Sequence, residues 1–231
     1  MSILLDYPDF ETLMMGLARI VAKQLDDVLA EKGKAVLAVP GGTTPAPFLE
    51  RLSLMELDWA HVTVLLTDER LQPADPFRSN FRMIEHYLSQ NASSDAQLLP
   101  MAAVDQMPIE ALQKATAVYV PHLPIDVLVV GMGADMHTAS LFPNAAALNA
   151  ALGPDAPPLM IIKSPSQPET RLSLTAPSLS AARHRHLLIA GPEKLAAFIV
   201  AEEGDGPVNQ APIRCVLQGR DPAMVHHTLG K

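Results

Sequence analysis

The stretch "IDVLVVGMGADMHTASLFP", Ile125 to Pro143, decides the reading of this chain. It opens as an apolar run without polar alternation, the pattern of a strand buried on both faces of a sheet. The run stops at Gly131 and Gly133, where glycine lets the backbone turn tightly, and Asp135 and His137 follow at once. Beyond them "HTASLFP" reads as the start of a helix, so the segment predicts a strand, a tight turn carrying an acid and an imidazole, and a helix.

Working outward, the same alternation recurs. "PDFETLMMGLARIVAKQLDDVLAEKGK", from Pro8, has apolar residues three and four apart and predicts an amphipathic helix to Lys32, closed by Gly33. "AVLAVPGG" is a short strand breaking into glycines, followed by "TTPAPFLERL", a helix with threonines at a cap position. "HVTVLLTDER" predicts a strand ending in charge, "SNFRMIEHYL" a helix, "RHLLIAGPEKLAAFIVAE" a strand and helix, and "PIRCVLQG" a last strand. Apolar strands alternating with helices predict an α/β fold, a mostly parallel sheet with helices on both faces. "TRLSLT" alternates with period two and fits an edge or antiparallel strand. The 231 residues carry no linker-like tract and are read as a single domain, 1–231.

Composition narrows the function. The longest apolar runs are strand-sized, well below the roughly 20 residues of a membrane helix, and the N-terminus lacks a secretory pattern, which predicts a cytoplasmic protein. A net charge of −8 argues against nucleic acid as a partner. The lone Cys215 reads as buried and inert. The scattered histidines lack the spacing of a metal site, and Ser140 lacks the glycine elbow of a serine hydrolase. His184, His186, His226 and His227 read as surface or packing residues.

In open α/β sheets ligands bind at the carboxyl ends of the strands. Four such ends are loaded with chemistry: "PGGTTP", "TDER", "GMGADMHT" and "AGPEK". Gly41 and Gly42 allow close approach of an anion, and Thr43 and Thr44 add hydroxyl donors beside helix N–H groups. Asp68, Glu69 and Arg70 close one strand. Lys194 lies in the first turn of its helix, where a cation opposes the macrodipole unless an anion is bound nearby. Histidine titrates near neutrality, so His137, with a carboxylate to fix its tautomer, is the candidate general base.

Taken together these ends resemble the 6-phosphogluconolactonases, within the larger group that includes glucosamine-6-phosphate deaminase. "VPGGTTP" is similar to that family's phosphate loop, "TDER" to its DER motif, "RSNFRMI" to its SN segment and "GMGADMHTASLFP" to its signature; "RLSLT" and "GPEK" match later elements. The resemblance implies a modified Rossmann-like sheet, shared with ribose-5-phosphate isomerase and coenzyme A transferases. It implies hydrolysis of 6-phospho-D-glucono-1,5-lactone, the second step of the oxidative pentose phosphate pathway, by a monomer or small homo-oligomer using no cofactor or metal. Gly41, Gly42, Thr43, Thr44, Arg171 and Lys194 would hold the phosphate. His137 would activate water, oriented by Asp135 or Asp68, with Arg70 or backbone N–H groups stabilising the oxyanion. Two alternatives stand beside this reading. A deaminase would carry DEY in place of Asp68-Glu69-Arg70 and a glutamate near "SLFP". A noncatalytic sugar-phosphate sensor draws support from Met136, which replaces the signature's glycine; a left-handed backbone there costs about 1–2 kcal/mol with a side chain present. The expectation is that the loop forms, at negative φ or with that strain, and keeps His137 facing the cleft.

Overall fold

The computed structural model describes residues 1–71, 78–103, 106–204, 206–219 and 221–230. The chain runs β1 (Ile3–Asp6), α1 (Phe10–Lys32), β2 (Ala35–Val39), α2 (Ala46–Ser53), β3 (Val62–Leu66), β4 (Asp68–Arg70), α3 (Asn80–Leu88), β5 (Gln97–Leu98) and α4 (Pro108–Tyr119). It continues as β6 (Val127–Gly131), α5 (Leu148–Leu152), β7 (Leu159–Ile162), β8 (Arg171–Leu174), α6 (Ala176–Ser180), β9 (His184–Ala190), α7 (Pro192–Glu203), α8 (Arg214–Leu217) and β10 (Met224–Thr228).

Seven strands form a parallel sheet in the order β1-β10-β9-β6-β2-β3-β5. Every residue of β2 and β3 is buried, as the unbroken apolar runs require of strands covered on both faces. The helix α1 forms because Asp9 caps it, accepting from the Thr12 N–H at 2.7 Å, and Gly33 ends it at φ 69°. Its stripe of Leu13, Leu17, Val21, Leu25 and Val28 is fully buried. Each such side chain contributes about 1.5–3 kcal/mol of transfer free energy.

The chain proceeds from β2 outward through β3 to β5, then returns to β6 on the other side of β2 and continues to β9 and β10. The β2/β6 boundary is therefore the point where strand order reverses, and the crevice beyond the carboxyl ends there is the expected ligand site. A second sheet, β4-β8-β7, is antiparallel. It overhangs that crevice.

Several elements differ from the sequence reading. "TDER" does not prolong β3: that strand ends at Leu66, and Asp68–Arg70 pair with β8 in the small sheet, Asp68 opposite Ser173 and Arg70 opposite Arg171. "TRLSLT" supplies β8, antiparallel as its alternation implied. "PIRCVLQG" is not a strand. Arg214–Leu217 are a short helix whose Arg214 guanidinium turns back to the carbonyls of Val200, Ala201 and Gly206, capping the end of α7. An apolar run this short carries no periodicity that separates strand from buried helix. The last strand is instead β10, in which His226 and His227 are packing residues inside the sheet. No helix follows His137 directly: Met136 and Ala139 both have positive φ, 63° and 48°, which breaks helical propagation, and the first helix downstream is α5. The threonines do not cap α2, whose N-cap is Pro45.

Candidate active site

A cleft of about 280 Å³ lies at the β2/β6 boundary. It is lined by Gly41, Gly42, Thr43 and Thr44 after β2, Gly133 and His137 after β6, Asp68, Arg70 and Arg171 from the small sheet, and Lys194 from α7. Asp135 does not line it, and reaches it through His137.

Each wall has a local cause. Gly41 lies under the Asn80 side chain, whose amide occupies the space a Cβ would need. Asn80 is 3% exposed and donates from Nδ2 to the Asp68 carbonyl at 2.8 Å, which ties the glycine loop to the small sheet. Gly42 has φ 100°, a conformation that side chains rarely adopt. Glu69, 2% exposed, is the clamp behind this wall. Its carboxylate accepts from the N–H groups of Arg70, Asn80 and Phe81 at 2.7–2.8 Å and from the Ser79 hydroxyl at 3.0 Å, fixing the start of α3. Burial raises its pKa, and these hydrogen bonds oppose the rise.

The signature loop is a tight turn. The Met136 N–H donates to the Gly133 carbonyl at 2.9 Å, the Gly133 N–H to the His137 carbonyl at 3.1 Å, and the Ile213 N–H holds the Met136 carbonyl at 3.1 Å. Thr138 Oγ1 donates to the Gly131 carbonyl at 3.0 Å. Met136 thus sits in the left-handed region, the strained option of the two expected, while its side chain packs against the core. His137 Nδ1 lies 2.5 Å from Asp135 Oδ1, which leaves Nε2 as the ring's free nitrogen. The pair lies over Gly133, where any Cβ would meet the imidazole and the carboxylate. The ring is also in tilted contact with Phe142, centroids 4.6 Å apart.

Asp68 is engaged elsewhere. It is 6% exposed, accepts from Ser140 Oγ at 2.6 Å and Thr67 Oγ1 at 3.3 Å, and stands 3.7 Å from Arg171 Nη1. Arg171, also 6% exposed, donates to Gln167 Oε1 at 3.1 Å and lies 3.7 Å from Glu169. Among the described residues its Nε has no partner, and neither has the buried Nε of Arg70. Burial pulls the Arg171 pKa down from the usual guanidinium value, so an anion at this spot would restore what desolvation costs.

All ten residues singled out from sequence therefore meet in one place, nine on the cleft and Asp135 behind His137. Asn80, Gln167 and Phe142 line it as well. Asn80 was visible in the "RSNFRMI" segment, whereas Gln167, in a proline-rich connection, gave no signal. Among the described residues, no group of three or more His, Cys, Asp or Glu side chains is placed to hold a metal ion, and no helix is long and apolar enough to cross a membrane.

The parallel α/β sheet thus carries at its switch point, where such folds bind ligands, a cation-lined cleft with a carboxylate-bound imidazole after the next strand, the makings of an anion site. Over residues 8–225 the chain matches the family described as glucosamine-6-phosphate isomerases/6-phosphogluconolactonase, and it belongs to that family. A 6-phosphogluconolactonase of Pseudomonas aeruginosa is 38% identical over 217 residues, 91% of this chain and 88% of the relative; that of Neisseria meningitidis serogroup B is 36% identical, covering 92% of each. The crystal structure of a 6-phosphogluconolactonase from Shewanella baltica superposes with a TM-score of 0.92 at 31% identity, over 99% of this chain and 98% of that one. A monomeric glucosamine-6-phosphate deaminase shares the fold at 18% identity and a TM-score of 0.76, covering 98% of this chain and 97% of that one.

Proposed function

We propose that this chain is a 6-phosphogluconolactonase, hydrolysing 6-phospho-D-glucono-1,5-lactone to 6-phospho-D-gluconate in the oxidative pentose phosphate pathway. The carrying observation is the convergence of an anion-binding half and a proton-transfer half on one cleft. The phosphate sits on the backbone of Gly41 and Gly42 and the hydroxyls of Thr43 and Thr44, with Arg171 and Lys194 neutralising it. Anchoring the unreactive end orients the lactone carbonyl toward the signature loop, so remote binding energy positions the reacting carbon.

His137 Nε2 takes a proton from water as the oxygen adds to C1. Asp135 holds the opposite nitrogen and stabilises the imidazolium that forms. Arg70 or loop N–H groups stabilise the tetrahedral oxyanion. When the C1–O bond of the ring breaks, the imidazolium returns its proton to the departing ring oxygen, and the new carboxylic acid ionises in water. Asp68 is bonded to Ser140 and faces Arg171, so Asp135 and not Asp68 orients His137. Met136 does not favour the sensor reading: the loop closes around it with the His137–Asp135 bond intact. We place the enzyme in the cytoplasm as a monomer or small homo-oligomer, with the whole chain as one functional unit, without nucleic acid, metal or cofactor.

The test is turnover of freshly prepared lactone, corrected for spontaneous hydrolysis, alongside binding of 6-phosphogluconate. His137→Ala should lower kcat about 10²–10⁴-fold with product binding little changed, and Arg171→Ala should mainly weaken binding. Swapped phenotypes would overturn the division of roles, and binding without turnover in the wild type would make the protein a sensor.

A further inference from the structure

Arg171 is built oddly for a buried arginine. Among the described residues only one of its five N–H groups has a hydrogen-bond partner, Gln167 Oε1 at 3.1 Å. Two carboxylates flank it, Asp68 and Glu169, yet each stops 3.7 Å away, beyond hydrogen-bond range. Buried guanidinium and carboxylate groups that close normally form short bidentate pairs. Here both carboxylates are held by other donors. Ser140 Oγ binds Asp68 Oδ2 at 2.6 Å, and Arg78 Nη2 binds Glu169 Oε1 at 3.0 Å.

Ser140 is itself fixed. It is fully buried, and its N–H donates to Ser173 Oγ at 3.2 Å, the residue opposite Asp68 in the β4/β8 register. The hydroxyl therefore approaches Asp68 from the signature loop while Arg171 approaches it from β8. We propose that Ser140 is a positioning residue for anion binding: it holds the Asp68 carboxylate back from Arg171, so that the guanidinium keeps its charge compensated while its N–H groups stay available to an incoming phosphate. This deepens the function proposed above and rests on Arg171 as a partner of the substrate's phosphate.

Such an arrangement leaves a distinctive pattern of binding across variants. In Ser140→Ala the freed carboxylate closes on Arg171 and competes with the ligand. Affinity for 6-phosphogluconate and for inorganic phosphate should fall about tenfold, the scale of one charge-assisted hydrogen bond. Asp68→Asn removes the competing charge, so the single variant should bind both anions at least as tightly as the wild type. The double variant Ser140→Ala/Asp68→Asn should return to the Asp68→Asn value. A serine that merely packs the loop would show no such recovery, because the defect left by its missing side chain would persist when residue 68 carries no charge.

Calorimetric titration of the four proteins with inorganic phosphate and with 6-phosphogluconate reads this directly. Turnover adds a second reading, since Ser140→Ala should act on KM far more than on kcat. Unchanged affinity in Ser140→Ala, or a double variant as weak as Ser140→Ala, would overturn the proposal, as would a wild type that binds neither anion. If Ser140→Ala does not fold, Asp68→Asn alone decides: weaker anion binding than in the wild type sinks it. Because binding is measured without chemistry, a wild type that binds both anions but leaves the lactone untouched refutes the lactonase reading while this test still stands.

Discussion

Four side chains far from the cleft make the folded protein acid-sensitive in a calculable way. His186 and His226 are fully buried on neighbouring strands of the main sheet. Gln24 Oε1 accepts from His186 Nε2 at 2.7 Å, which leaves His186 Nδ1 to accept from His226 Nε2 at 3.0 Å, and His226 Nδ1 to accept from the Tyr7 hydroxyl at 3.0 Å. Every nitrogen is used, and both rings must be neutral. A proton on His186 Nδ1 would set two N–H groups against each other, and a proton on either ring would bury a charge. Burial accordingly drives the pKa of His186 down from 6.5 to about 3 and that of His226 to about 4. The unfolded chain binds protons below about pH 6.5 that the folded chain refuses, so stability is fully present above that pH and is lost as pH falls toward the folded values. At pH 5 each histidine favours unfolding by about 2 kcal/mol, so the pair costs about 4 kcal/mol of a total on the order of 5–15. His184, lowered chiefly by burial, works in the same direction, whereas Glu69, whose pKa burial raises, works against them and offsets part of the loss. Urea unfolding at pH 8 and pH 5 measures the sum, and the ring C–H resonances isolate the two histidines. Resonances of His186 and His226 that titrate near 6.5 in the native protein, or a loss below about 1 kcal/mol between these pH values, would refute the reasoning.

Two substitutions probe the signature loop. Gly133→Ala places a methyl group where the His137 ring and Asp135 carboxylate lie; kcat should fall at least about a hundredfold, because a displacement near 1 Å is enough for that, and an unchanged steady-state rate would show that the pair does not need its place over Gly133. Met136→Gly relieves a left-handed side chain, worth about 1–2 kcal/mol, and gives up partial burial of a methionine worth about as much. Thermal melts should move by only a few degrees and kcat by less than about threefold; a tenfold gain would mean that Met136 holds His137 out of line.

The legible parts of the fold were those with strong local pattern. The amphipathic stripe of α1 is fixed by its periodicity, and the runs of β2, β3 and β6 by their β-branched residues and the turns or charges that bound them; the glycines after β2 and β6 mark turns whose physical need is seen in Asn80 over Gly41 and in the imidazole over Gly133. What escaped was set by tertiary context. β10 carries two histidines that count as polar in any alternation; inside the sheet His186 and Tyr7 meet both ring nitrogens of His226, while Asp6 meets Nδ1 of His227, whose Nε2 has no partner among the described residues. Arg214 lies in "PIRCVLQG", a segment that reads as a strand, yet it is buried as the cap of α7, a role no local pattern records. The arrangement behind the cleft was equally hidden: "HTASLFP" shows a serine, and only the approach of β4 reveals that its hydroxyl meets Asp68.

Two walls of the cleft belong to different sheets, and the backbone of Thr67 joins the sheets directly. Gly41–Thr44 and His137 project from β2 and β6, adjacent strands of the parallel sheet, while Asp68, Arg70 and Arg171 come from the antiparallel one. Thr67 stands between them. Its N–H donates to the Val39 carbonyl at 3.0 Å, at the end of β2, and its carbonyl accepts from the Leu174 N–H at 2.9 Å, at the end of β8. Its hydroxyl adds the 3.3 Å contact to Asp68. In the sequence Thr67 merely continues an apolar strand into charge, but one strand running straight on would carry Asp68 and Arg70 away from the glycine loop. The chain leaves the parallel sheet at Thr67, and with that turn the cations of the small sheet come to face the glycine loop. The spacing of the two walls is thereby set by backbone hydrogen bonds, and under the function proposed above this is the rigidity that placing a reacting carbon through a remote phosphate requires.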